Sequence, residues 1–202
     1  MYPLLLCSVT SLGIVLERLW VIHRAARAAR RLHHAVAGAL QEGTEAEALA
    51  VIRRDPSLLA SVYKALANHA EPNDEVRLQA AEYRHAAAVR ELKRHLWLVG
   101  TIGSLAPFIG LFGTVLGIVR AFENMAATGS GGFAVVAAGI SEALVATAAG
   151  LLIGVLSIFF YNAFSVRIAN LAAEWKEYAA EVAPRLLVTR AREGGARVVQ
   201  AR

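Results

Sequence analysis

The sequence predicts an all-α integral membrane protein with three transmembrane helices and long cytoplasmic helical extensions. Composition is the first sign: 56% of the 202 residues are hydrophobic even without glycine, and only 18% are charged. Soluble domains run at about 45–50% apolar with glycine included, and about 25% charged. The second sign is where charge is missing. No acidic or basic residue precedes Glu17, none lies between Arg94 and Arg120 except His95, and Glu142 stands alone among the 43 residues separating Glu123 from Arg167. Third, the region between the first two apolar windows is dominated by Ala, Leu, Glu and Arg, which are strong helix formers. The same numbers exclude disorder and collagen. One cysteine, Cys7, excludes an intrachain disulfide and a cysteine metal cluster.

Each element follows in order. The first span is residues 1–22. Its charge-free part, 1–16, covers only about 24 Å at 1.5 Å per residue and reaches full length by continuing through Leu19 and Ile22. With no basic n-region and no small-residue cleavage site, it reads as an anchor and not as a cleaved signal. Residues 23–95 form a cytoplasmic helical region. The first helix runs on to Gln41 and stops at Gly43. Thr44 with Glu47 three residues on suggests a capping box opening a short helix to Arg54. Asp55-Pro56 ends it, a further helix runs to about Ala70, and Glu71-Pro72 breaks again. Asn73 or Asp74 then caps a long helix running straight into span two, residues 96–120. Its 96–119 stretch covers about 36 Å, enough for a ~30 Å hydrocarbon core. Residues 121–132 form a short periplasmic loop, and 133–164 hold the third span. No breaker precedes Pro184, so that helix projects beyond the bilayer into the cytoplasmic helical tail, 165–202.

Orientation follows from Lys and Arg. Segment 17–95 carries 13 of the 21, segment 165–202 carries seven, and 120–133 carries only Arg120. Positive residues mark the cytoplasmic side, so the N-terminus is periplasmic and the C-terminus cytoplasmic. Arg24, Arg27 and Arg31 after span one, Arg94 before span two and Arg167 after span three are assigned to the lipid-headgroup interface, beside Trp20 and Trp97. Attraction to anionic lipid accounts for the net charge of +5. No nucleic-acid partner is expected, because no aromatic-basic module accompanies the charge.

Glu142 is the leading candidate for chemistry, since an ionisable side chain at membrane depth is costly and by default functional. Removal from water favours the neutral carboxyl, which makes this a group able to take up and release a proton. Ala138, Glu142, Ala146, Gly150 and Gly154 recur at i+4, a row of small residues of the kind that lets membrane helices pack closely. Gly113 and Gly117 thin one side of span two in the same way. Thr147 and Thr114 are expected beside Glu142, where hydroxyls can carry or orient a proton; bonding to their own helix backbone is the equal alternative. Pro107 is expected to kink span two and free a carbonyl. No catalytic residue, cofactor or metal site is expected. All six histidines lie in 17–95, so none can serve a serine within the bilayer, and His33-His34 lack acidic neighbours at metal spacing. The GSGG run at 129–132 lacks the lysine of a phosphate loop.

The stretch HLWLVGTIGSLAPFIGLFGTVLGIVRAF, followed by AGISEALVATAAGLLIGVLSIFFYN, resembles the MotA/TolQ/ExbB proton-channel family, and most of all its ExbB branch. PLLLCSV and ERLW in span one resemble it too, so the likeness covers nearly the whole chain; the one departure is a near-absent external stretch before span one. The resemblance implies a homopentamer of three-span subunits in the bacterial inner membrane. Spans two and three would line a pore holding the single-span helices of an ExbD-like partner, and the family's pore-lining glutamate and threonines match Glu142, Thr147 and Thr114. It further implies that the protonmotive force is used to drive a TonB-like protein, which energises transport across the outer membrane. A TolQ-like or flagellar-stator-like subunit and, more remotely, a passive membrane scaffold are the alternatives.

Overall fold

The computed structural model describes the backbone of residues 2–68, 70–128 and 133–200, and the side chains of all of these except 128, 133–135 and 188–200. His69 and the 129–132 run therefore lie outside the described residues. Among the described residues six α-helices follow one another: α1 (Tyr2–Gln41), α2 (Glu45–Arg54), α3 (Leu58–Leu66), α4 (Asp74–Leu92), α5 (Leu96–Thr128) and α6 (Phe133–Gln200). Among the described residues three stretches are long and apolar enough to cross a membrane, within Tyr2–Gln41, Leu96–Ala127 and Val136–Leu187.

The connections follow local chemistry, and several differ from the sequence expectation. The 40 residues of α1 end at Gln41, and Gly43 turns the chain away with a φ of 78°, the left-handed conformation glycine adopts at little cost. The Thr44 N–H closes this turn on the Ala39 carbonyl at 2.9 Å. The Thr44 hydroxyl donates to the same carbonyl at 3.3 Å and makes no side-chain cap on α2. The expected capping box does not form: the Glu47 N–H that it would use bonds the Thr44 backbone carbonyl at 3.1 Å. Helix α3 stops at Leu66 and not near Ala70; the Leu66 carbonyl receives the Arg77 guanidinium, through Nε at 2.8 Å and also through Nη2. Asn73 caps α4, accepting from the Glu75 N–H at 2.9 Å.

The clearest departure is between α4 and α5. One unbroken helix into span two was the expectation, but Lys93, Arg94 and His95 form a turn. His95 has φ 60°, a left-handed conformation costing roughly 1–2 kcal/mol in an L-residue but several-fold enriched in histidine. No glycine or proline announces it. Its carbonyl accepts from the Leu98 N–H at 3.1 Å, opening α5, and its Nδ1 lies 3.6 Å from the Glu17 carboxylate. Pro184 marks the opposite surprise: α6 passes through it and continues for a total of 68 residues. Ala180, whose carbonyl loses its donor there, is exposed, so water can satisfy it.

The chain divides into two compact units, residues 1–19 with 94–165, and residues 20–93 with 166–202. In the second, apolar residues at helical spacing (Ala29, Leu32 and Val36 of α1, Leu59 and Val62 of α3, Ile168, Leu171 and Trp175 of α6) are buried. Arg77, 1% exposed, also donates to the Leu186 carbonyl at 2.9 Å, and His85 Nε2 pairs with the Ala172 carbonyl at 2.8 Å. Both side chains are thus partnered, as desolvation demands, whereas the buried Trp175 Nε1 has no hydrogen-bond partner.

His33 lies in the same core. Its Nδ1 is 3.0 Å from the Tyr63 hydroxyl, its Nε2 3.3 Å from the Glu181 carboxylate, and its ring stacks on Tyr178 at 3.9 Å. Burial holds its pKa below the ordinary 6.5, with the Glu181 carboxylate opposing. A ring neutral in the fold contributes stability that is fully present above the unfolded value and is lost as pH falls through the folded one. The melting temperature should therefore fall on acidification below about pH 6.5, and His33→Gln, which does not titrate, should flatten that fall. Thermal melts of both forms across this range test it; equal slopes would exclude His33 as the source.

Candidate functional site

In the unit formed by residues 1–19 and 94–165, α5 and α6 pack antiparallel along glycines on both helices. A Cβ added at Gly103 would lie 2.7 Å from Ile158, one at Gly154 2.7 Å from Pro107, one at Gly150 2.6 Å from the Ala106 carbonyl, and one at Gly139 2.6 Å from Ala121. A Cβ at Gly113 would meet Ala146 at 3.2 Å, and one at Gly117 would meet Ala143 at 2.5 Å. Helix backbones can come this close only where side chains are absent. Leu4 of α1 packs against Ala106 and Ala146, and the buried Ser11 and Ser157 hydroxyls join α1 to α6 at 2.8 Å. Sequence reasoning missed this pair; two hydroxyls inside otherwise apolar runs were its only signal.

The packed ridge on α6 is thus Gly139, Ala143, Ala146, Gly150 and Gly154, whereas the i+4 row drawn from the sequence ran through Ala138 and Glu142. At about 100° per residue, each i+4 step overshoots a full turn by about 40°, so the lower end of a strict i+4 row rotates away from its neighbour. Ala138 and Glu142 are exposed. They line an open cleft of about 610 Å³ together with Gly117, Arg120 and Asn124 of α5 and Leu4 of α1.

The threonines form a different cluster. The Thr147 hydroxyl lies 2.9 Å from the Gly110 carbonyl and 3.3 Å from the Thr114 hydroxyl, and buried Thr114 donates to its own helix at Leu111, 2.7 Å away. Thr147 has one proton to give, so it bonds either Gly110 or Thr114. Thr147 lies five positions after Glu142, about 140° around the helix. The structure therefore brings Thr114 and Thr147 together and sets Glu142 on another flank of the same ridge, in a cleft neither threonine lines.

Helix α5 runs through Pro107 without interruption. The Gly103 carbonyl, which loses its donor there, would lie 3.1 Å from a Cβ on Gly154, and the Pro107 ring packs on that same glycine. The freed carbonyl is covered by the neighbouring helix. Arg24, Arg27, Arg31, Arg94 and Arg167 are all exposed, and Arg24 sits over the Trp20 ring at 5.1 Å. Among the described residues no three His, Cys, Asp or Glu side chains gather as a metal site.

A model of the MotA/TolQ/ExbB proton channel family matches residues 54–177. The chain belongs to this family. Among its relatives, the biopolymer transport protein ExbB of Pseudomonas putida is 45% identical over 105 residues, 52% of this chain and 31% of that protein. ExbB of Salmonella typhimurium is 44% identical over 101 residues, 50% of this chain and 41% of that protein. The Tol-Pal system protein TolQ of Pseudomonas aeruginosa is 41% identical over 91 residues, 45% of this chain and 39% of that protein. The matches thus span well under half the length of these relatives. For this MotA/TolQ/ExbB member, Glu142, Thr114, Thr147 and the glycine ridge all lie inside the family match.

Proposed function

We propose that the chain is an ExbB-like pore-forming subunit of a proton-driven inner-membrane complex, which acts with an ExbD-like single-span protein to energise a TonB-like protein. The observation carrying this reading is Glu142: a carboxylate exposed on an otherwise apolar helix surface, next to the closely packed ridge. Such a group is tolerated at membrane depth only against protein or water, so a second copy or a partner must cover that face. Closed fivefold symmetry would bring five Glu142 side chains toward one axis, where a partner carboxylate could exchange protons with each in turn. Each proton crossing gains about 2.3 kcal/mol per 100 mV of membrane potential. Thr114 and Thr147 would hold or relay protons above the Glu142 level, and Ala146, Gly150, Gly154, Gly113 and Gly117 would keep the two pore helices in register. The N-terminus is periplasmic and the C-terminus cytoplasmic, with Arg24, Arg27, Arg31, Arg94 and Arg167 at the anionic headgroups, by the excess of Lys and Arg in 17–95 and 165–202.

The TolQ relative gives the second reading, an envelope-integrity subunit of the same design. Deleting the gene separates them. Loss of growth on a nutrient that enters through TonB-dependent receptors, with detergent resistance intact, is the expected outcome. Detergent sensitivity with normal uptake would transfer the chain to the TolQ role.

A further inference from the structure

We propose that the groove between the first three turns of α5 and the facing turn of α6 binds an anionic glycerophospholipid, with its headgroup at the Trp97 end and an acyl chain toward Leu105. The groove holds about 570 Å³, within the roughly 300–1,000 Å³ of small-ligand sites. Its floor is preformed. The Tyr161 ring lies over Gly100, 3.1 Å from where a Cβ would stand, and Ile158 lies 2.7 Å from the same point at Gly103. Trp97, Thr101, Ser104 and Asn162 border this floor and are exposed, so the space above it is open to whatever adjoins the two spans.

The lining changes along the groove in the order that a lipid does. Trp97 and Tyr161 mark the headgroup level, where amphipathic aromatics gather. From Trp97 to Leu105 α5 advances about 12 Å, whereas the polar layer of one leaflet is about 5–7 Å deep. The groove therefore begins among headgroups and ends among acyl chains. Donors stand at its beginning: the Trp97 indole N–H, the Tyr161 hydroxyl and the Asn162 amide, with the exposed Arg94 three residues before Trp97. A guanidinium beside neutral donors suits the oxygens of a phosphate. The Thr101 and Ser104 hydroxyls donate to the Trp97 and Gly100 carbonyls of their own helix, at 2.9 and 3.1 Å, which leaves their oxygens as acceptors for a headgroup hydroxyl. Leu105 and Ile158 then supply an apolar wall. A helix from a second copy, apolar along the same 12 Å, would leave the polar groups buried without partners, a cost that a headgroup avoids.

The test counts bound lipid. The complex is purified from its own membrane in mild detergent, stripped of lipid, and titrated with phosphatidylglycerol or with phosphatidylcholine of the same chains, and native mass spectrometry reads the adducts. The wild-type complex should hold phosphatidylglycerol about tenfold more tightly than phosphatidylcholine. Asn162→Leu should weaken phosphatidylglycerol by about tenfold, the loss of one charge-assisted hydrogen bond. Ser104→Phe, which fills the groove from an exposed position, should abolish that binding at a wild-type melting temperature. Arg24→Gln removes an exposed charge from another helix and should leave the binding intact. Equal affinity for the two lipids overturns the proposal, as does unchanged binding in both groove variants. A loss in Arg24→Gln as large as that in Asn162→Leu also overturns it, since diffuse attraction to basic residues would give that result. A Ser104→Phe complex that keeps its lipid but loses oligomer mass overturns it too, and assigns the groove to a second copy of the chain.

Discussion

Gly150→Leu should force the α5–α6 hairpin apart. A Cβ at that position already lies 2.6 Å from the Ala106 carbonyl and 3.0 Å from the Gly110 Cα. Both obstacles are backbone, and backbone cannot rotate aside as a side-chain tip can. Overpacking a tight core costs about 1–3 kcal/mol, occasionally more, and here each larger side chain must separate two helices joined by such contacts from Gly103 to Ala121 on α5 and from Gly139 to Ile158 on α6. The Thr147–Gly110 hydrogen bond at 2.9 Å lies within the same contact and should be lost with it. Gly150→Ala should show a smaller loss in the same direction. Gly13→Ala, where nothing lies within 4 Å, is the matched control and should be neutral or slightly stabilising, since alanine is the better helix former. Oligomer mass and melting temperature in mild detergent measure the effect. A Gly150→Leu protein with wild-type mass and melting temperature would contradict the close packing.

What could be read from the sequence depended on how local the cause was. Charge-free windows at 96–119 and around Glu142 placed the apolar helices, because desolvating a charge outweighs any local propensity. The stop at Gly43 and the cap at Asn73 were legible for the same reason: each is a property of one residue and its immediate neighbours. The His95 turn was not, because no breaker marks it and its partner Glu17 is far away in sequence. At the end of α3 the Leu66 carbonyl is taken up by Arg77 from the next helix, and at the start of α2 the Glu47 N–H bonds the Thr44 carbonyl and not its hydroxyl; no residue pattern announces either. Within the candidate site, one face was drawn too straight. An i+4 row follows a helix only for a turn or two, and over sixteen residues the drift carried Ala138 and Glu142 off the ridge that Gly150 and Gly154 occupy. The same geometry explains why Thr114 and Thr147 meet each other and not Glu142.

Separation of the threonine pair from Glu142 has a functional consequence under the proposed reading. A proton passing from one to the other must cross about 140° of helix surface, by way of water or a partner group. That requirement puts the exchangeable charge on Glu142 and leaves orientation and relay to the hydroxyls.

The central claim is that Glu142 gains and loses a proton during turnover. Glu142→Gln keeps the shape and the hydrogen-bonding capacity but cannot ionise, and it should abolish energised uptake while leaving the complex assembled. Glu142→Asp, one methylene shorter, should retain part of the activity, and Glu142→Ala should be inactive. A purely structural glutamate gives a different order, with Gln close to wild type and Ala worst. The deciding measurement is growth on a nutrient taken up through TonB-dependent receptors, for all three variants at equal membrane abundance. The account predicts no growth for an assembled Gln variant and partial growth for Asp; full growth of the Gln variant would contradict it.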